Sequence, residues 1–179
     1  GQLRKVPRGG GSAITIADSA YRQFRGVAWL DDGTIVYRDA ANRLRRVPDN
    51  GGVAEVVWAP DSGTDQRARL PMPLPGARGV LFSFCSDNGC SEQGGWVLDF
   101  KSGKARSLVP DAVMTWYTPT GHLVYVRTDG GVFAAPFDLG SLEMTGPSVP
   151  ILAGVKVVAN LVPRLAMSAS GMMLMIAGP

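Results

Sequence analysis

Histidine is almost absent from this 179-residue chain, which has only His122. A Ser-His-Asp triad would have to be built on that one imidazole. Cysteine is scarce too, with only Cys85 and Cys90. With one distant histidine, these two do not make a four-ligand zinc set. No stretch approaches the ~18 uninterrupted apolar residues of a membrane helix. The most apolar part, Met172 to Ala177, is far too short. The N-terminus lacks the charged-then-apolar pattern of a signal peptide. It opens on Gly1-Gln2-Leu3, as a mature form or a piece of something longer would. Charged residues make up 18% and hydrophobic residues 45%, so wholesale disorder is not expected. The net charge of +3 comes without any long basic run. Arg43, Arg45 and Arg46 split between two faces of a strand, with the first two together, and read as solvated positions. Nucleic-acid binding is not expected, because it would want a clustered basic stripe with interleaved aromatics.

Glycine and proline are abundant instead, at 23 and 13 residues. They are scattered without a collagen-like period, and they leave little room for long helices. Short apolar runs follow turns at regular intervals. Asp31-Asp32-Gly33 leads into Thr34–Tyr37, and Pro75-Gly76-Ala77-Arg78 into Gly79–Phe84. Pro119-Thr120-Gly121-His122 leads into Leu123–Val126, and Ser170-Gly171-Met172 into Met173–Ile176. The four turn glycines, Gly33, Gly76, Gly121 and Gly171, are spaced at about the 40–50 residues of a propeller blade. Leu3–Pro7 and Leu44–Pro48 are near copies, each followed by a glycine-rich turn and another apolar strand.

The unit is strand, turn, strand, loop, strand, turn, strand, which is a four-stranded antiparallel meander. Such sheets cover their faces by stacking around an axis. The expected fold is therefore an all-β propeller of about four blades in one domain, 1–179. It has a partial blade at 1–19, blades at about 20–60, 61–111 and 112–154, and a partial blade at 155–179. The chain either closes its ring by joining N- and C-terminal strands in one blade, or forms an incomplete ring with open edges that invite self-association.

The chain resembles the TolB-like, WD-type β-propeller repeats found C-terminal to bacterial serine/threonine kinase domains. The carriers are Gly1–Pro7, Asp32–Tyr37, Leu74–Phe82 and Gly121–Arg127, with Ala135-Pro136-Phe137-Asp138-Leu139, Thr145-Gly146 and Pro150 the most specific. The resemblance implies a bacterial, extracytoplasmic propeller that senses or binds, and it supplies no catalytic residue. The cysteine pair is a departure from the family pattern. Neither a kinase domain nor a membrane helix is present.

The residues offer few centres for chemistry. His122 reads as an exposed turn residue and Asp31-Asp32 as turn formers. No Gly-x-Ser-x-Gly elbow or phosphate loop occurs. Asp87-Asn88-Gly89 lacks the spacing of a calcium loop. No catalytic residue, metal or cofactor is therefore expected, and the chain is expected not to be an enzyme. Cys85 and Cys90 flank a four-residue turn and can approach disulfide distance, which would point to an oxidising compartment; free thiols are the other reading. The candidate binding set is Arg25, Arg69, Trp116 and Arg164, placed at the channel mouth by the expected inner strands. The bland alternative is that Trp29 and Trp116 pack between blades, as Trp58 and Trp96 are expected to. The expected function is a binding or sensing module for a protein, peptide or cell-envelope ligand, without membrane insertion. The alternatives are the gating propeller of a prolyl-oligopeptidase-like peptidase, or a fragment that self-assembles into a larger ring.

Overall fold

The computed structural model describes residues 1–21, 26–86, 93–158, 161–168 and 170–178. Among these, every regular element is a strand except the short 3-10 turn Pro75–Ala77. An N-terminal hairpin pairs β1 (Leu3–Lys5) with β2 (Ile14–Ala17). Three larger antiparallel sheets follow. The first runs β3 (Val27–Trp29), β4 (Thr34–Arg38), β5 (Leu44–Pro48) and β6 (Glu55–Trp58) in order. The second runs β7 (Arg67–Pro73), β8 (Gly79–Cys85), β9 (Gln93–Asp99) and β10 (Lys104–Pro110). The third runs β11 (Ala112–Thr118), β12 (His122–Arg127) and β13 (Val132–Asp138), and the outer edge of β13 pairs with both β14 (Glu143–Met144) and β15 (Val149–Leu152). Two small hairpins end the chain: β16 (Val157–Val158) with β17 (Val162–Pro163), and β18 (Leu165–Met167) with β19 (Met173–Met175).

The strands of the body feed two cores at once. In β12, Leu123 and Tyr125 enter the core shared with the second sheet, while Val124 and Val126 enter the core shared with the C-terminal hairpins. In β8, Val80 and Phe82 face the first sheet and Leu81 faces the third. In β4, Val36 faces the second sheet while Ile35 and Tyr37 face the N-terminal hairpin. This is the period-2 alternation of a strand. Because both faces are covered, the segments read as continuous apolar runs rather than as apolar-polar alternation. Four clusters result, one for each seam between consecutive units. The inner strands β3, β7 and β11 touch in series, and β11 touches β17.

The four turn glycines all adopt left-handed backbone: φ is 74° at Gly33, 65° at Gly76, 77° at Gly121 and 86° at Gly171. Three turns carry the same hydrogen bond from the glycine N–H to the carbonyl three residues earlier: Gly33 to Leu30 at 3.1 Å, Gly121 to Thr118 at 3.0 Å and Gly171 to Ser168 at 3.0 Å. A side chain there would strain the backbone, which is why the period is marked by glycine.

Polar groups also pin the seams and turns. Arg78 pairs with Asp99 in its own sheet and donates to the Gly140 carbonyl of the next at 3.1 Å. Arg106 donates to the Ser141 and Leu142 carbonyls at 2.9 and 2.8 Å. The buried Ser83 hydroxyl donates to the Val113 carbonyl at 2.6 Å. Arg43 and Arg45 both donate to Asp39 Oδ2, at 2.8 and 2.7 Å, so they share a face but are paired rather than merely solvated. Arg46 pairs with Asp32 and lies over the Phe100 ring, 4.5 Å from its centroid. Trp58, Phe82 and Trp96 pack together in the seam between the first and second sheets, and Trp116 is buried. Trp29 is 53% exposed, so the between-blade reading fails for it.

Of the two expected arrangements for the chain ends, the open one is present. Among the described residues, β1 and β2 pair only with each other, and the sheets do not close into a ring. Cys85 ends β8, buried, and carries no free thiol. Cys90 and the Asp87–Gly89 turn lie outside the described residues, so the Cys85–Cys90 bridge stands as a proposal. A reductant should lower the melting temperature of the native chain and leave that of Cys85→Ser unchanged; equal values with and without reductant would remove the bridge.

Two further outcomes follow from the seams. A Cβ on Gly95 would lie 2.5 Å from Thr115 Cγ2 and 3.3 Å from Ala112 Cβ across the seam. Gly95→Ala should destabilise the fold by about 1–3 kcal/mol through overpacking, whereas Gly9→Ala, with open space around it, should not. Chemical denaturation measures both. The hydrogen bond from Arg78 holds the Asp99 carboxyl down at about 2 against partial burial, helped by the Lys101 N–H and the Ser102 hydroxyl. A depressed folded pKa adds stability above the unfolded value, and this is lost as pH falls towards 2. Acid titration of stability should therefore fall more steeply between pH 4 and 2 in the native chain than in Arg78→Gln.

Candidate functional site

The glycine turns gather at one end of the sheets, where the inner strands finish. Tight turns keep the backbone short there and leave polar turn residues at the rim. Two adjoining cavities open on this end, and Pro119 lines both. The smaller, about 320 Å³, lies between the turns of all three larger sheets and is lined by Asp31, Pro73, Leu74, Pro75, Tyr117 and Pro119. Asp31 bridges a seam there, its Oδ2 accepting from the Gly76 N–H at 2.7 Å. The larger, about 540 Å³, lies between the third sheet and the C-terminal hairpin. Its walls are Val124, Ala134, Val149, Ile151, Met167 and Met173, and its rim is Thr118, Thr120, His122 and Ser170.

The rim of the larger cavity is a hydrogen-bonded cluster. The Thr118 and Thr120 hydroxyls are 2.9 Å apart, and Thr120 Oγ1 is 3.2 Å from His122 Nδ1. His122 Nδ1 is also 3.0 Å from the Thr120 carbonyl. A carbonyl can only accept, so Nδ1 donates, and in the neutral ring Nε2 is left as an acceptor. Across the cavity the Ser168 and Ser170 hydroxyls are 3.0 Å apart, and Ser168 Oγ accepts from the Met172 N–H at 3.0 Å. The arrangement combines an apolar wall with a few convergent hydroxyls, an imidazole acceptor and, one cavity away, a carboxylate. That is the general form of an organic-ligand site.

Fixed charges surround the turn end. Burial opposes ionisation of Asp32, but bonds from the Thr34 hydroxyl and N–H and the nearby Arg46 outweigh it and lower its pKa. The Ser141 N–H lowers that of Asp138. Among the described residues, no three His, Cys, Asp or Glu side chains gather as metal ligands.

The sequence-derived set is placed differently. Arg25 lies outside the described residues. Arg69 is buried in β7 beside a bulge at Leu70, where φ is +51°. Trp116 is buried against the C-terminal hairpins, with Leu165 and Met173 in the same cluster. Arg164 is exposed after β17, its backbone N–H donating to the Lys156 carbonyl at 2.8 Å. Arg69, Trp116 and Arg164 do not line either cavity. The sequence reading sets aside His122 and Asp31 as turn residues, takes Ser168-Ala169-Ser170-Gly171 only as a failed nucleophile elbow, and does not weigh Thr118 or Thr120. The available signal was the alternation of hydroxyl and imidazole at Thr118, Thr120 and His122, and again at Ser168 and Ser170.

No protein-family model matches the chain. No curated protein matches its sequence. Solved structures do match. An oligogalacturonate lyase in complex with manganese superposes with a TM-score of 0.61 at 12% identity, over 97% of this chain and 50% of its own. A calcium-binding protein, regucalcin, from Agrobacterium tumefaciens gives 0.66 at 14% identity, over 96% and 58%. An auxiliary nutrient-binding protein from Bacteroides thetaiotaomicron gives 0.54 at 14%, over 85% and 36%. The chain thus spans about half the length of the first two. These likenesses show the fold, a β-propeller. They also correct the expectation that the chain is not an enzyme. A lyase is among the proteins that share this fold, so a shortage of histidines and paired carboxylates is no ground for excluding catalysis.

Proposed function

We propose that this chain is a ligand-binding propeller domain of the TolB-like kind, working outside the cytoplasm within a larger bacterial protein. Its ligand is a peptide held on the turn end. The observation that carries this reading is the pair of adjoining cavities on either side of Pro119. Together they make a track of apolar pockets with hydroxyl, imidazole and carboxylate groups at intervals. An extended peptide matches that pattern, placing apolar side chains in the pockets and its main-chain N–H groups on Asp31, Thr120 and His122 Nε2. The turns that build the track are braced across the seams by Asp31 and Arg78, so the site is largely preformed.

The test is selection from a library of short peptides, followed by calorimetry. Tyr117→Ala and His122→Ala should each weaken the selected peptides by about tenfold or more, the loss of one well-placed contact. Val53→Ala, far along the chain and 85% exposed, should leave binding unchanged. Peptides that bind all three variants as well as the native chain would contradict the placement of the site.

A further inference from the structure

The end of the sheets opposite the glycine turns carries a pocket of about 270 Å³, in the seam between the first and second sheets. Trp58 ends β6 and pairs with Leu44, where β5 begins. Phe84 and Cys85 finish β8, at the far end from the Gly76 turn that precedes it. Both flanking sheets have four strands, so the pocket depends on neither end of the chain. The first sheet contributes Trp58, and the second contributes Phe84 and Trp96, stacked with centroids 4.8 Å apart. Phe82, fully buried, packs against both tryptophans, 5.6 Å from Trp58 and 6.2 Å from Trp96, and holds the rings in place. The segment leading into β7 supplies the polar edge, Asp61 and Gln66. Gln66 is bonded to Asp61 at both ends of its amide. Its Oε1 accepts from the Asp61 N–H at 3.0 Å, and its Nε2 donates to Asp61 Oδ2 at 3.1 Å. The Asp61 carbonyl accepts from the Thr64 N–H and hydroxyl, at 3.1 and 2.7 Å, which fixes the turn. Asp61 is the only charged side chain lining the pocket. Arg67, at the end of the same segment, is taken up by both oxygens of Asp65, at 2.7 and 2.6 Å.

We infer that this pocket binds a small quaternary ammonium compound of the size and charge of choline. Three aromatic rings from two sheets, with one carboxylate at the edge, make a negative and mostly apolar surround. A cation held over the face of tryptophan is attracted by the ring quadrupole, and Asp61 adds a full charge of the right sign. Hydrogen-bond supply decides between cations. A primary ammonium brings three N–H donors, and Asp61 is the only carboxylate there to take them. Donors left unmet against aromatic walls are costly. A quaternary ammonium has no donor to satisfy. A sugar meets the same obstacle, because its ring of hydroxyls needs partners and the Gln66 amide is already engaged at both ends. The volume lies just below the ~300–1,000 Å³ of drug-sized ligand sites, which suits a compound of few heavy atoms. The rings are packed and the turn is braced, so little ordering remains to oppose binding. This site lies at the other end of the sheets from the peptide track and does not rest on that reading.

The test is titration of the native chain with choline chloride at constant ionic strength, read by calorimetry and by tryptophan emission, since Trp58 and Trp96 both line the pocket. Binding should saturate and change the emission. The neutral carbon isostere of choline, dimethylbutanol, should bind about tenfold more weakly or worse, and ethanolamine should also be weaker. Asp61→Asn, at an exposed position, and Trp58→Leu should each weaken choline by about tenfold, while Val53→Ala leaves it unchanged. Circular dichroism checks that each variant is folded, and Asp61→Asn carries the test if Trp58→Leu is not. Phosphocholine separates a free cation from a lipid headgroup: it should bind less tightly than choline, because its phosphate adds negative charge near Asp61. No saturable response to choline, equal affinity for the neutral isostere, tighter binding of phosphocholine, or a folded Asp61→Asn that binds choline as the native chain does would each overturn the inference.

Discussion

A β-sheet has two faces, and in this chain the central strands β4, β8 and β12 are apolar on both. No sheet of this kind is stable until each face is covered. Burying one large apolar side chain stabilises by roughly 1.5–3 kcal/mol, and ordering each residue costs about 1–2 kcal/mol of backbone entropy. A lone meander therefore gains too little from one covered face. The stabilising unit is the seam between consecutive sheets rather than the sheet itself. Phe82 and Leu81 are neighbours in sequence and belong to different cores. The same holds for Val36 and Tyr37, and for Val124 and Tyr125.

Stacking also decides where ligand chemistry can sit. Side chains in the middle of the strands are committed to the seams, even when polar, as with Ser83 bound to the Val113 carbonyl. The turn residues are free of that duty. Because every unit turns the same way, the turns collect at one end and their polar groups converge there. The seam that is only half filled, between the third sheet and the C-terminal hairpin, leaves the larger cavity. The site and the open edge thus have one cause, an unfinished seam.

Much of the architecture is written in local signals. The repeat of turn glycines marks the strands because only glycine sits easily at φ near +75°. The near copies at Leu3–Pro7 and Leu44–Pro48 become β1 and β5, which hold equivalent places in their units. The site was far less legible. Channel-mouth candidates were chosen by chain position along inner strands, but whether Trp116 faces a channel or a core depends on which neighbour stacks against it, and that is a long-range fact. Arg43, Arg45 and Arg46 looked solvated because their partners, Asp39, Asp32 and Phe100, are set by turn closure and by the next sheet. His122 was read as a bare turn residue because the hairpin facing it begins more than 40 residues later in the chain. The enzyme expectation failed for a different reason: counting acid–base groups says little about a fold that serves several chemistries.

The central claim is that covered faces, not individual strands, hold this protein together. Amide hydrogen exchange read strand by strand tests it directly. Protection should be greatest in β8 and β12, which are buried on both faces, and least in β6 and β15. Equal protection in all strands would contradict the account.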